Sequence, residues 1–127
     1  MNAQLHPAMR AASAVALLVF AGFTALQFND LEQYGTRLWF GWVAVYGGTA
    51  AISAVSLVRP PSTVFCGGWA LVALAAALVR AMSIDWSASI LHDPSNPAGN
   101  ETGGLLIVAF WLAALAAGSR GARDRAR

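Results

Sequence analysis

Apolar residues fall in four long runs along the chain, 11–28, 38–58, 64–84 and 103–118, of 18, 21, 21 and 16 residues. A helix needs about 20 mostly apolar residues to cross the hydrocarbon of a bilayer, so the two middle runs predict transmembrane helices directly. The first is nearly as long. The fourth reaches the required length by borrowing Thr102 and Ser119, or by sitting in locally thinned lipid, which costs only fractions of a kcal/mol per Å. Of the 14 charged residues, 13 lie outside the runs, and Arg80 is the exception.

Composition agrees with this pattern. The 127 residues are 57% hydrophobic and 11% charged, against about 45–50% and 25% in soluble domains. So short a chain cannot hide the excess from water. Disorder, collagen-like repeats and a disulfide scaffold are excluded by the same arithmetic. The expected fold is therefore an all-α, four-helix transmembrane bundle, a single multi-pass membrane domain over 1–127. A cleaved signal peptide is the rival reading of the first run, but no small-x-small site closes it. It ends instead in Gln27, Phe28, Asn29 and Asp30, as an uncleaved helix would.

Charge sets the expected orientation. Positive residues are retained on the cytoplasmic side, and with four spans both termini share one side. That side carries Arg10, Arg59, Arg120, Arg123, Arg125 and Arg127, against Arg37 and Arg80 opposite. Both termini are thus expected in the cytoplasm, in a bacterial inner membrane. The arginine tail reads as a topology anchor in contact with anionic lipid. Nucleic acid is not an expected partner.

Aromatic residues test the frame independently, because Trp and Tyr favour the interfaces. Trp39, Trp69 and Trp86 lie at or near predicted span ends. Tyr46 and Trp111 sit about eight residues inside their spans, on the order of 12 Å deep. Two polar-tipped rings at matching depth could face each other, each needing a hydrogen-bond partner, or could simply pack. Small pairs four apart, Ala44 with Gly48, Gly47 with Ala51, Ala12 with Ala16 and Ala21 with Ala25, would let helices approach closely, although alanine is abundant throughout.

An ionisable group at membrane depth is expensive and is kept for a partner or a task. Arg80 either snorkels to the interface or pairs with Asp30, Asp85 or Glu101. Glu101 is expected to open the fourth helix, near its positive end and with Asn100 as N-cap. Gln27, Asn29, Asp30, Arg80, Asn100 and Glu101 could then converge in one outer polar mouth, structural or ligand-binding.

These residues also resemble a known family. A first helix ending in Gln27, Asn29 and Asp30, then Glu32, then Trp42 and Tyr46, together with Glu101, Gly104, Leu105 and Trp111 later, is similar to the transmembrane protein 220 family of small membrane proteins. The span pattern matches across nearly the whole chain. Three features depart from the family pattern: Leu31 stands where Pro is usual, extra residues precede Trp42, and Asn100 replaces an Arg. The resemblance implies a membrane location and a polar cluster that includes Trp42, Tyr46 and Trp111, and it brings no established reaction.

Catalysis finds little purchase. Cys66 is the only cysteine, so a thiol oxidoreductase lacks its pair, and Cys66 reads as a small packing residue. His92, Asp93, Asp85 and Glu101 match no metal-ligand spacing, their loop holds Pro94, Pro97 and Gly99 like a flexible connector, and His6 lies in a short tail. No metal or cofactor is expected. The triplet Asn100, Glu101, Thr102 is a glycosylation sequence pressed against the membrane. An oligomeric small-molecule or ion transporter is the alternative, but proton-coupled export needs an acid in the membrane core and no span has one. Ser13, Thr49, Ser53 and Ser56 are few and scattered for a pore. The expectation is a non-catalytic accessory or binding protein. Its partners would be membrane lipids and a small ligand or head group, with a second copy or another membrane protein left open.

Overall fold

The structure, a computed structural model, describes residues 3–29, 31–91, 93 and 95–127, without the side chains at 33, 34, 36 and 37. Asp30 and His92, and the side chain of Arg37, lie outside the described residues. The expected all-α class holds: four helices, α1 (Pro7–Gln27), α2 (Leu31–Val58), α3 (Thr63–Ala81) and α4 (Pro97–Ala126), with no strand among the described residues. Each is long and apolar enough to cross a membrane, which makes this a small integral membrane protein. Large apolar side chains face outward, among them Val64 at 85% and Phe110 at 79% exposure. In water such a surface would be an aggregation liability.

Helix α1 begins at Pro7, four residues before its apolar run. Proline suits the first helical position because its missing N–H would be unsatisfied there anyway. The Nδ1 of His6 accepts from the Ala8 N–H at 3.3 Å, so the tail histidine is the N-cap. Helix α2 is broken at Gly35, whose φ of 68° and ψ of 165° suit glycine alone. The spanning part beyond it, Leu38–Val58, coincides with the predicted run. Pro60 and Pro61, which lack N–H groups, separate it from α3.

The other two runs differ from their helices. Helix α3 ends at Ala81, because Ser83 and Ile84 fold back in tight turns onto the carbonyls of Arg80 and Ala81. Helix α4 starts at Pro97, six residues before its apolar run, and continues eight beyond it. At 1.5 Å per residue its 30 residues extend about 45 Å, enough for a hydrocarbon core of about 30 Å with a polar turn or two at each end.

Every helix buries a stripe spaced alternately three and four residues, as helices do on the face they pack. The stripes run through Ser13, Ala16 and Phe20; Tyr46, Thr49, Ser53 and Ser56; Cys66, Ala70, Ala73 and Ala77; and Leu105, Val108, Leu112, Leu115, Ser119 and Ala122. The small pair Ala44 and Gly48 is exposed instead, so that pairing does not mark the packed face of α2. Gly47 does face α1, where a Cβ would meet Thr24 Cγ2 at 3.6 Å. Five hydroxyls on α1 and α2 are satisfied locally: Ser13, Thr24, Thr49, Ser53 and Ser56 donate to carbonyls three or four residues back at 2.6–2.8 Å, whereas the buried hydroxyls of Thr63, Thr102 and Ser119 meet no acceptor among the described residues. Those five bonds answer the desolvation cost of the hydroxyls that make them.

The chain divides into two compact units, residues 1–63 with 115–127, and residues 64–114. In the first, α1 packs along α2 through a ladder of rings. Phe20 meets Phe23 and Phe23 meets Tyr46 edge to face, at 6.1 and 5.4 Å between centroids. The second holds α3, the connector to α4, and α4 as far as Ala114.

Candidate functional site

Arg80 and Glu101 form an ion pair in the second unit, and among the described residues it is the only salt bridge. Both Nε and Nη2 of Arg80 point to Oε2 of Glu101. Arg80 thus resolves between its two expected fates by pairing, and Glu101 is the partner among the three acids considered. The two members differ in environment: the Glu101 side chain is 8% exposed and that of Arg80 is 37% exposed. A charge-assisted bond to a buried carboxylate is stronger than a neutral one.

The connector between α3 and α4 puts Glu101 in place. Asn96, 3% exposed, accepts from the Asp85 N–H at 3.1 Å through Oδ1. Through Nδ2 it donates to the carbonyls of Asp85 and Ser89 at 2.9 and 3.0 Å. One side chain therefore closes the loop on itself, and the segment read as a plain flexible connector is cross-linked. Pro97 follows at the first helical position, and the Gly99 N–H turns back to the Asn96 carbonyl at 3.3 Å. Because α4 starts there, Asn100 lies inside the helix and is not its N-cap, and Glu101 stands in the second turn rather than at the helix end. The Asn-Pro pair at 96–97 is the signal that hydropathy alone passes over.

Asp85 and Asp93 are occupied locally. Asp85 Oδ1 accepts from the Ser87 hydroxyl at 2.6 Å and its N–H at 2.9 Å, and Asp93 Oδ1 accepts from Ser95 at the same two distances. The serine hydroxyl first, then the serine amide, holds each carboxyl below its ordinary value of 3.8, since both bonds favour the charged form.

The other predicted residues that are described fall in the first unit, apart from Asn100 and Trp111. Gln27 contributes its backbone: its carbonyl accepts from Trp39 Nε1 at 2.6 Å, while the Trp39 ring meets Phe28 edge to face at 5.4 Å. Trp39, read as an interface anchor, thus clasps the end of α1 to the start of the α2 span. Asn29 is exposed and its N–H closes the end of α1 on the Leu26 carbonyl. Trp42 stacks on Tyr46 at 5.9 Å and 22°, and Tyr46 is buried. Tyr46 belongs to the first unit and Trp111 to the second. Asn100 is exposed on α4, and Cys66 is wholly buried on α3.

No protein-family model matches the chain, and no curated protein or solved structure matches it either.

Proposed function

We propose that this small membrane protein works without catalysis, as an accessory or binding protein, and that the Arg80–Glu101 pair is its working feature. The observation that carries the reading is the asymmetry of the pair: a buried carboxylate holds a guanidinium whose outer edge stays reachable. Glu101 fixes Arg80 at the end of α3, and Arg80 offers its free N–H groups to a small anionic ligand or a lipid head group. A planar fork of donors suits carboxylate and phosphate alike. The same reading includes membership of the transmembrane protein 220 family, resting on the motif residues from Gln27 to Tyr46 and from Glu101 to Trp111. It also includes cytoplasmic termini in a bacterial inner membrane, resting on the arginine distribution.

Native mass spectrometry of the full chain, gently extracted from its own membrane, tests this beside the Glu101→Ala variant. The expected result is a co-purifying lipid, small molecule or subunit on the wild type that is missing from a variant that still accumulates. A bare wild-type chain overturns the binding role and leaves the pair as a structural lock.

A further inference from the structure

Three helix ends meet in the first unit. A Cβ on Gly118 would lie 3.1 Å from Met9 Cε and 3.7 Å from Leu5 Cδ2, so the last third of α4 packs against the start of α1. Arg123 Nη2 donates to the Pro61 carbonyl at 3.0 Å, tying the final turns of α4 to the corner after α2. These two contacts gather Arg10, Arg59, Arg120, Arg123, Arg125 and Arg127 at one end of the unit. All six are exposed, and no ion pair joins them to an acid among the described residues. Asp124 is the one acid on the terminal turns.

An anchor for topology needs only charge, and a loose tail would supply it. Here residues 119–126 are helical, and Ser119 and Ala122 are buried at 0% and 2% exposure, which fixes Arg120 between them and Arg123 beside them on a packed helix. Arg59 directly follows the last residue of the α2 span, and its neighbour Val58 is 82% exposed. A side chain in that position lies at head-group depth, beside an apolar surface suited to acyl chains.

We propose that this end of the first unit is a docking surface for the phosphate groups of anionic phospholipids, centred on Arg59 and Arg123. The bond from Arg123 to Pro61 uses one guanidinium nitrogen and orients the rest, and Arg59 stands two residues from the same carbonyl. The Arg123 fork so held suits the oxygens of a phosphodiester, where guanidinium groups bind in pairs of parallel hydrogen bonds, and the exposed Arg59 supplies a second guanidinium. Cationic residues near an anionic surface each strengthen attachment about fivefold.

The test incubates the full chain in detergent with equal amounts of phosphatidylglycerol and phosphatidylcholine of matched acyl chains and counts lipid adducts by native mass spectrometry. The wild type is expected to carry phosphatidylglycerol at least about 25-fold over phosphatidylcholine, about fivefold for each of the two arginines. Arg59→Gln should lower that preference about fivefold, and Arg59→Gln with Arg123→Gln about 25-fold, with phosphatidylcholine unchanged. Since Arg123 also holds the α4 end, Arg59→Gln alone decides the matter if the double variant does not fold. Equal adducts of the two lipids on the wild type, or a preference untouched by Arg59→Gln, overturns the proposal.

Discussion

The backbone of Gly99 passes so close to Ile90 that a Cβ on Gly99 would come within 1.8 Å of the Ile90 carbonyl oxygen. The neighbour is backbone, so no rotamer change relieves the overlap. Gly99→Ala is therefore expected to cost roughly 3 kcal/mol, at the upper end of overpacking effects, and to lower the thermal unfolding midpoint in detergent. Gly103, four residues along the same helix, has nothing within 4 Å of a Cβ. Gly103→Ala should be neutral or stabilise by about 0.5–1 kcal/mol through helix propensity. Equal midpoints for the two variants would mean that the connector does not lie against Gly99.

Asn96 carries three hydrogen bonds on one buried side chain. Asn96→Ala removes all three and takes the side-chain partner from the Asp85 N–H and the Ser89 carbonyl, while the Asp85 carbonyl keeps the Ala88 N–H at 3.3 Å. Asp85 and Ser89 are exposed, so water replaces part of what is lost and each bond removed should cost about 0.5–1.5 kcal/mol at most. Hydrogen exchange reads the effect locally: the Asp85 amide is expected to lose protection in Asn96→Ala while amides in the middle of α3 keep theirs. Unchanged exchange at Asp85 would contradict the hub.

The two serine-bonded carboxylates should titrate low. Their folded values are depressed by the serine hydroxyls and amides, so what they contribute to loop order is present above the unfolded value and disappears as pH falls through the folded one. The window thus lies below about 3.8, and neutral pH leaves the loop untouched. Carboxyl chemical shifts followed by NMR should place both midpoints under 3.8. Ser87→Ala should move Asp85 upward and leave Asp93 in place.

Hydropathy marks the slab of membrane, and helices answer to different signals at their ends. The α2 span was legible to the residue because Gly35 and Arg37 on one side and Arg59 and Pro60 on the other bracket it. Helices α1 and α4 overrun their apolar runs because Pro7 and Pro97 start them early and because polar turns extend α4 to Ala126. Sequence position leaves Asp30, Asp85 and Glu101 equally open as the acid facing Arg80. The Asp-x-Ser pattern at 85–87 could have withdrawn Asp85, since a serine two residues on captures the carboxylate locally. Asp30 offers no comparable local cue. The packed faces were obscured by composition: alanine stands on both buried and exposed sides of every helix, so spacing alone could not choose the stripe through Tyr46, Thr49, Ser53 and Ser56 over Ala44 and Gly48.

The unequal burial of Arg80 and Glu101 makes their single variants unequal too. Arg80→Ala leaves a carboxylate that is 8% exposed with its cation gone, and uncompensated buried charge costs roughly 3–5 kcal/mol. Glu101→Ala leaves a guanidinium that is 37% exposed on a long stem able to turn to water, so its cost should be about 1–2 kcal/mol, in the range of a lost charged hydrogen bond. Glu101→Gln keeps the shape and removes the charge, and should fall closer to Glu101→Ala than to Arg80→Ala. Thermal unfolding of the three variants in one detergent, with the Arg80→Ala, Glu101→Ala double variant closing the cycle, gives the coupling directly. In the double variant the buried charge is gone, so it should be more stable than Arg80→Ala alone. A double variant whose loss equals the sum of the two single losses would show that the pair contributes nothing and that both side chains matter only through packing.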